Sequence, residues 1–385
     1  MRVAGIAARI FNVSAKTNWC FLQVETDAGL TGWGEASLNG WEPLLVAAAA
    51  LRADELTGLE RSEAQARLTP APRSPGGLAM NAVTSALHQA LAAIEAESNS
   101  IALWALLGTQ QRASLPLYAN INRATADRSP AGFAASAQAA MAAGFRAFKA
   151  APFDGVTPAN CATEEGRALI KAGIERVFAL RGTIGPQATL MVDCHWRFDE
   201  ARAQDTLRAL GPAGLYWFEC PISEAPEHWP AYRRLRAAAH AAGTRIAAAE
   251  TQVGLAAFEA LFDAGVVDVV MPDVKYCGGP REMLAIAQAA ARAGVLFSPH
   301  NPTGPVGTMA SLHVAAIAPQ CDWLEFQFGE SPLYFELTGG THPHLLDGAF
   351  TVPVVPGLGL SIAEDLLAAH PYAPVPFGVE TEFAG

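Results

Sequence analysis

The chain has 385 residues, enough for one large α/β barrel with an added unit or for two domains. Hydrophobic residues make up 51% and charged residues 16%, which provides a large core and excludes general disorder. The net charge of −11 argues against nucleic acid as a partner, because phosphate binding needs a basic face. An acidic protein with an anionic ligand needs a local positive centre, which a bound divalent cation provides.

The cysteines and the amino terminus indicate where the protein resides. The six cysteines are scattered and form no CxxC pair, which is typical of reduced thiols in a cytoplasmic protein. The first residues, MRVAGIAARIFNVS, lack the charged-then-apolar layout of a signal peptide. No apolar stretch approaches transmembrane length. We therefore expect a soluble cytoplasmic protein without a membrane partner.

Residues 1–113 are predicted to form an α+β domain. Strands are predicted at 2–11 and 18–26, and the glycine-rich run DAGLTGWGEAS leads through a hairpin into a third strand. Helical patterns follow at 43–53, 60–68 and 80–107. A small antiparallel meander followed by helices is typical of an α+β unit.

From Leu115 onward, strands and helices alternate. Eight strands are predicted, at 115–121, 145–151, 188–194, 214–219, 245–250, 267–273, 294–300 and 322–327. Ala-rich helices are predicted between them, at 130–143, 162–181, 201–211, 228–242, 254–263 and 280–293. This alternation predicts a (β/α) barrel, whose active site lies at the carboxyl ends of its strands. We assign the barrel to 114–342, and the Pro- and Gly-rich segment 343–385 to a return across the first domain.

Three successive predicted strands end in a carboxylate, in the runs TLMVD, LYWFE and RIAAAE. A single acid at such a place is usually a turn residue or a helix N-cap. Three acids at neighbouring strand ends converge at the barrel mouth, where they repel one another unless a cation lies between them. Oxygen ligands without Cys or His favour Mg²⁺ over zinc. The sequence therefore predicts a magnesium site formed by Asp193, Glu219 and Glu250.

The sixth and seventh strands end in Asp273 and His300. An Asp bound to one imidazole nitrogen makes the other nitrogen a general base near neutral pH; the alternative is that His300 caps a turn before Pro302. His195 lies two residues after Asp193, so strand alternation predicts that both side chains point to the same face. Beside the metal, His195 serves as an acid, a base or an outer-sphere partner, or it has a structural role only.

Lys149 ends the second strand and Glu325 ends the eighth. Lys149 either balances the charge of an anionic substrate and its enolate or extends to solvent. Glu325 either hydrogen-bonds a substrate oxygen, donating from its protonated form to a developing oxyanion, or is an ordinary strand-end acid. Both residues are candidates for catalysis.

As a set, these residues resemble the enolase superfamily and, within it, the mandelate racemase-like subgroup. The resemblance covers essentially the whole chain, and its motifs are the three acids, the MPD…GG stretch with Asp273 and the SPH with His300. It implies an α/β fold with a modified TIM barrel, (β/α)7β, an N-terminal α+β capping domain and a C-terminal segment that returns to it. It also implies that Mg²⁺ holds the substrate carboxylate, a base removes the α-proton and the metal stabilises the enediolate. We further expect a homo-oligomer, between a dimer and an octamer.

One departure from the family pattern changes the expected reaction. The strand-two motif of the family is Lys-x-Lys, whereas this chain has Lys149 followed by two alanines. The second Lys, the base on the opposite face in racemases, is missing. The Asp-x-His at 193–195 is similar to the acid-sugar dehydratases, where that His assists departure of the 3-hydroxyl. The resemblance therefore implies a hydro-lyase that converts an aldonate or aldarate to a 2-keto-3-deoxy acid, with His300 as base and His195 as acid.

Two alternatives stay open from the sequence. One is an isomerase, meaning a racemase, an epimerase or a lactone cycloisomerase, and the other is a ligand-binding barrel that has lost catalysis. The three acids, Asp273 and His300 argue against the second, because a site without catalysis has no physical reason to keep five polar groups together whose burial costs free energy. In the resembling family, specificity comes from cap loops, which here are near 12–19 and 37–42. The candidate contacts to a small anionic hydroxy or sugar acid are Trp19, Asn39, Trp41, Asn120, Asn122 and Arg123.

Overall fold

The amino-terminal domain is an antiparallel sheet covered by helices. The computed structural model describes residues 1–72 and 76–375, so residues 376–385 of the predicted C-terminal segment lie outside the described part. The sheet has the order β1 (Val3–Ser14), β2 (Thr17–Thr26) and β3 (Thr31–Glu35). The helices are α1 (Glu42–Leu56), α2 (Arg61–Arg67), α3 (Gly77–Ser98) and α4 (Leu103–Leu107).

Close contact between α3 and β3 holds this domain together. A Cβ atom on Gly34 would lie only 1.8 Å from the carbonyl oxygen of Ala86 in α3, so a residue without a side chain is required there. The apolar faces of β2 and α3 meet in a buried core that includes Leu22 and Leu91. Sheet and helices therefore form one packed layer pair.

Eight parallel strands follow one another around a ring. They are β4 (Ser114–Asn120), β5 (Ala147–Ala150), β6 (Thr189–Asp193), β7 (Trp217–Glu219), β8 (Arg245–Ala248), β9 (Val269–Val270), β10 (Leu296–Phe297) and β11 (Leu324–Gln327). Strands β4 to β10 pair in chain order, and β11 pairs with β4. Between β10 and β11 the described residues form no ladder, but an isolated bridge joins Phe297 and Cys321. The arrangement is that of a modified TIM barrel.

Helices connect the barrel strands and cover their outer face. They are α5 (Pro130–Ala142), α6 (Glu164–Ile184), α7 (Glu200–Leu210), α8 (Trp229–Ala241), α9 (Leu255–Ala264), α10 (Pro280–Arg292) and α11 (Pro305–Ile317). Helices α5, α6 and α7 begin where Ser129, Thr163 and Asp199 accept a hydrogen bond from a backbone N–H three residues further on. Within the described residues, no helix combines the length and the apolar composition that a membrane crossing requires. The cytoplasmic location and the homo-oligomer stay predictions.

The helices differ from the prediction at two places. The pattern at 80–107 forms two helices, because Ser100 adopts a positive φ of 57°, which ends α3 and redirects the chain into α4. Helix α11 has no counterpart among the predicted helices. All of its residues are buried, and a helix that is apolar all round has no polar face to reveal its period.

The C-terminal segment contacts both parts of the molecule. It contains α12 (Leu333–Glu336), β12 (Leu345–Leu346), β13 (Ala349–Thr351) and α13 (Glu364–Ala369). Strand β13 pairs antiparallel with the first half of β4. The backbone of Gly357 exchanges hydrogen bonds of 2.8 and 2.9 Å with Leu103 and Ile101, and the N–H of Asn12 donates to the carbonyl of His370 at 2.9 Å. The segment thus reaches the amino-terminal domain again.

His313 of α11 makes the fold sensitive to acid. Its Nδ1 accepts from the N–H of Trp104 at 3.3 Å, and its Nε2 lies 3.0 Å from the carbonyl oxygen of Leu358. Burial lowers the pKa of His313 from 6.5 to about 4. Because His313 binds a proton more tightly in the unfolded chain than in the folded protein, protonation favours unfolding. The contribution of neutral His313 to stability is therefore complete above pH 6.5 and is lost as the pH falls towards 4. Between pH 7.5 and 5 this group alone removes about 2 kcal/mol from the free energy of unfolding.

We expect His313→Gln to flatten this pH dependence, although the variant starts from a lower stability. Urea unfolding at pH 7.5 and 5 measures the difference for wild type and variant. His228→Gln is the matched control, because His228 is exposed. Equal losses in the wild type and His313→Gln would contradict the assignment.

Candidate active site at the barrel mouth

Asp193, Glu219 and Glu250 come together at the carboxyl ends of β6, β7 and β8. Asp193 and Glu219 are paired in the β6–β7 ladder, and one oxygen of each of the three acids lies within 4.8 Å of the others. All three are buried. Burial, followed by the charges of the other two acids, raises the pKa of Glu250 well above its usual value. We call these three residues the acidic cluster.

The acidic cluster fits a divalent cation held by oxygen. Oε2 of Glu250 is buried and has no hydrogen-bond partner among the described residues, although it lies 3.4 Å from Nε2 of His300. A buried carboxylate oxygen without a donor is unfavourable, and a cation between the acids satisfies it. The set contains three carboxylates and neither Cys nor His. Carboxylate oxygens are the ligands that hard cations prefer.

Lys149, in β5, places a fixed positive charge beside the acidic cluster. Its Nζ lies 2.8 Å from Glu219, 2.8 Å from Glu325 and 3.9 Å from Asp193. Burial acts to lower the pKa of Lys149, but the surrounding carboxylates raise it well above its usual value. The alternative that Lys149 extends to solvent is wrong, because the residue is 1% exposed. These contacts fit a fixed positive charge rather than a base.

Asp273 and His300 form a hydrogen-bonded pair. An isolated parallel bridge continues the β9–β10 pairing to these two residues, and Nδ1 of His300 lies 2.8 Å from Oδ2 of Asp273. Burial acts to raise the pKa of Asp273, but Lys275 and His300 lower it below its usual value. A carboxylate that stays ionised holds the Nδ1–H and leaves Nε2 free to accept a proton. That nitrogen faces Glu250.

His195 reaches the acidic cluster through a turn. Strand β6 ends at Asp193, and His195 and Trp196 adopt positive φ angles of 48° and 55°, so the prediction by strand alternation is wrong. The turn nevertheless brings Nε2 of His195 to 2.8 Å from Oδ2 of Asp193. The backbone N–H of His195 also donates to Oδ1 of Asp193 at 3.0 Å. The side chain is 20% exposed, which leaves it able to exchange a proton with a bound molecule.

Glu325 is held as a carboxylate. Nδ2 of Asn120 donates to its Oε1 and the N–H of Asn301 to its Oε2, both at 2.8 Å. Burial acts to raise the pKa of Glu325, but Lys149, His300 and the Asn301 N–H lower it. The ionised form has no proton to donate, so the arrangement does not support the predicted donor to an oxyanion. Glu325 instead links Lys149 to the loop that carries His300.

A cavity of about 470 Å³ lies over these groups, between the barrel mouth and the amino-terminal domain. Its lining includes Lys149, Asp193, His195, Glu250 and His300. The predicted substrate contacts that line it are Trp19, Asn39, Asn120, Asn122 and Arg123.

The structure does not place Trp41, a predicted substrate contact, on the cavity. Among the described residues that line the cavity, Trp41 is absent. It precedes α1 and packs against the core of the amino-terminal domain. Asn39, two residues earlier in the same loop, lines the cavity. Because a loop has no fixed period, which of its side chains face a ligand cannot be read from the order of residues.

Sequence reasoning missed Lys275. The residue is 2% exposed and lines the cavity. Its Nζ lies 2.6 Å from Oδ2 of Asp273, the oxygen that also contacts His300, and its backbone N–H donates to Oδ1 at 2.7 Å. The signal that could have identified it is a lysine two residues after a buried strand-end Asp, because buried lysines are almost always paired.

Glu35 joins the amino-terminal domain to the loop that follows His300. Its carboxylate is fully buried and accepts from the backbone N–H groups of Gly304 and Gly307 at 2.8 Å. The hydroxyls of Thr303 and Ser37 donate to it at 2.5 and 2.7 Å. A carboxylate is well placed there, because these N–H groups belong to the N-terminus of α11.

Replacing Glu35 with Ala is expected to lower the free energy of unfolding by about 3–5 kcal/mol, since four buried donors lose their acceptor. Urea unfolding of both proteins measures the change. Glu25→Ala, on the neighbouring strand at an exposed position, is the matched control and should change the value by less than about 1 kcal/mol. A similar effect of both substitutions would show that Glu35 does not join the domains energetically.

Two family models match the chain. Residues 8–108 match the model described as "Mandelate racemase / muconate lactonizing enzyme, N-terminal domain". Residues 132–366, more than half of the chain, match the model described as "Enolase C-terminal domain-like". The two matches lie on the amino-terminal domain and on the barrel with its following segment.

Full-length relatives agree with these matches. D-galactonate dehydratase of Xanthomonas campestris pv. campestris is 30% identical over 375 residues, which span 93% of this chain and 92% of that protein. A mandelate racemase/muconate lactonizing enzyme-like protein from Roseovarius sp. TM1035 has a TM-score of 0.85 and 24% identity over 99% of this chain and 98% of that one. The 3,6-anhydro-D-galactonate cycloisomerase from Zobellia galactanivorans has a TM-score of 0.82 and 23% identity over 97% of this chain and 100% of that one. The two solved structures show the same fold.

Proposed function

The chain belongs to the mandelate racemase / muconate lactonizing enzyme family of the enolase superfamily, and from this premise we propose that it dehydrates a sugar acid, an aldonate or an aldarate, to a 2-keto-3-deoxy acid with Mg²⁺ as cofactor. It is thus an enzyme and not a binding barrel without catalysis. The observation that carries the proposal is that His300, held by Asp273, and His195 line one cavity. Elimination of water needs one base and one acid. The similarity to D-galactonate dehydratase supports it.

Asp193, Glu219 and Glu250 are the residues that would hold the metal. When bound, Mg²⁺ would supply positive charge to the substrate carboxylate and to the negative charge that develops as the α-proton leaves. Lys149 adds a second positive charge at the same place, since its Nζ lies 2.8 Å from Glu219. The small acid substrate is therefore bound by its carboxylate, with its C2 carbon towards the histidines.

The two histidines divide the proton transfers between them. Nε2 of His300 accepts the C2 proton, while Asp273 holds the Nδ1–H and stabilises the imidazolium that forms. His195 donates a proton to the 3-hydroxyl as its carbon–oxygen bond breaks, so that water leaves. The enol that remains takes up a proton at C3, loses the proton of its 2-hydroxyl and becomes the 2-keto acid. Ala151, which lines the cavity two residues after Lys149, has no proton to transfer, and this disfavours racemisation with a lysine and a histidine as the two bases.

Incubation with a panel of aldonates and aldarates in D₂O tests the proposal. The expected product is a 2-keto-3-deoxy acid with deuterium at C3, detected by NMR and by a 2-keto acid assay. Substrate recovered with deuterium at C2, without any keto acid, would contradict a dehydratase. That result would favour an epimerase of the same superfamily in which His195 serves as the second base.

A further inference from the structure

The strands that carry the acidic cluster end in backbone conformations that side chains rarely adopt. Cys220, directly after Glu219, has a φ of 43°, and Ala249, directly before Glu250, has a φ of 83°. The turn after β6, described above, adds two more residues with positive φ. Four of the seven non-glycine residues with positive φ among the described residues therefore lie at these three strand ends. Such conformations persist only where the surrounding structure holds them.

One carboxylate, that of Glu224 in the loop after β7, contacts all three strand ends. Its Oε1 accepts from Nε1 of Trp196 at 3.0 Å and from the backbone N–H of Ala249 at 3.0 Å, and the thiol of Cys220 donates to it at 3.4 Å. Its Oε2 accepts from Nε2 of Gln252 at 3.3 Å. Three of these four donors belong to residues with positive φ. The side chain is half-buried.

Glu224 lies behind the acidic cluster and not within it. It lines a second cavity of about 470 Å³, on the other side of Trp196 from the cavity over the cluster. Trp196 and Thr251 line both cavities, so they separate Glu224 from the cavity over the acidic cluster. Glu224 therefore acts on the reaction through the loops that it holds and through its charge, which reaches Glu250, and not by contact with the substrate.

We propose that Glu224 is a positioning residue, whose carboxylate ties the loops after β6, β7 and β8 in the conformation that brings the acidic cluster together around the metal. The inference rests on the proposed metal site but not on the identity of the substrate. Loss of a residue that orients metal ligands commonly weakens metal binding by about 10–100-fold. A role in stability alone would lower the unfolding midpoint and leave the metal affinity unchanged.

Because Glu224 is proposed to hold the three loops through hydrogen bonds to its carboxylate, two substitutions at residue 224 should differ in their effect on metal binding. Glu224→Ala removes both acceptors, so the donors on Trp196, Cys220 and Ala249 lose their partner. Glu224→Gln keeps one carbonyl oxygen, which takes the place of Oε1, while its NH₂ group faces Gln252, whose side-chain amide can turn to accept. The conservative variant is therefore expected to bind metal much more tightly than the alanine variant.

Titration of the EDTA-treated proteins with Mg²⁺ tests the proposal without any substrate. The Kd is obtained from the Mg²⁺-dependent shift of the unfolding midpoint, and the midpoint without metal shows that each variant is folded. We expect Glu224→Ala to raise the Kd about 10–100-fold and Glu224→Gln to restore most of the affinity. Glu227→Ala, three residues further on at an exposed position, is the matched control and should bind as the wild type does.

Equal Kd values for the wild type and Glu224→Ala would overturn the role of Glu224, and so would a Glu224→Gln variant as weak as the alanine variant. If Glu224→Ala does not fold, Trp196→Phe takes its place, since it removes one donor to Oε1; an unchanged Kd in that variant would overturn the proposal. A wild type without saturable Mg²⁺ binding would overturn the metal site itself. These results therefore separate a failure of the inference from a failure of the proposed cofactor.

Discussion

Replacing His300 with Asn is expected to abolish exchange of the substrate α-proton and to lower kcat/KM for dehydration by about 10³-fold. Asn is close to His in size and keeps a donor for Oδ2 of Asp273, so the local structure should persist. It has no nitrogen that can accept a proton, whereas Nε2 of His300 faces Glu250 and the cavity. Loss of the C2–H signal of the substrate in D₂O, followed by NMR, measures the exchange.

Two further variants make the His300 result specific. His195→Asn should retain exchange at C2 and lose elimination, because it removes the acid and leaves the base. His228→Asn changes an exposed histidine at the start of α8 and should have wild-type rates. Exchange that continues at the wild-type rate in His300→Asn would refute its assignment as the base.

Removal of the metal is expected to have the second large effect. Treatment with EDTA should abolish the activity and lower the unfolding midpoint by a few degrees, because saturating ligand at about 100 times its Kd stabilises the native state by about 2.7 kcal/mol. Addition of Mg²⁺ should restore both. If EDTA changes neither the activity nor the midpoint, the acidic cluster does not hold a functional metal.

Glu250→Gln separates the effect of a metal ligand on activity from its effect on the stability of the metal-free protein. It should lose the activity, since one of three carboxylates is gone. Without metal, however, the variant should be at least as stable as the wild type, because burial and the other two acids disfavour the ionised form of Glu250. Unfolding midpoints of the wild type and the variant, measured in EDTA, test whether the substitution leaves the metal-free protein at least as stable. A clear loss of stability in the metal-free variant would show that Glu250 is stabilised by its neighbours and not repelled by them.

The barrel strands are predictable because they are buried on both faces, so each apolar run stops where the chain leaves the core. The run ending at Asp193 coincides with the end of β6, and the three acids come together as their spacing indicates. Strands β9 and β10 are shorter than their apolar runs. Beyond Val270 and Phe297, an isolated bridge between Asp273 and His300 continues the pairing. Apolar runs measure burial, which extends further than hydrogen-bonded pairing.

What the sequence does not predict depends on contacts between distant segments. The turn that carries His195 beside Asp193 needs a left-handed backbone at two successive residues, His195 and Trp196, which is uncommon for residues other than glycine. The contacts of Lys275 and Glu224 join loops from different strands. Asn39 lines the cavity, whereas Trp41, two residues further on, packs against the core of the amino-terminal domain. Local periodicity carries no information about such choices, because loops are positioned by the elements that they cross.

A protonated lysine among buried carboxylates also allows the chain to fold before a metal binds. With Lys149 beside Glu219 and Glu325, the newly made polypeptide can complete its barrel with an internal counter-ion and does not need to capture a metal during folding. Loading is then a later and reversible event. The supply of the proposed Mg²⁺ then sets the fraction of molecules that are active, and the metal adds stability to a barrel that is already folded.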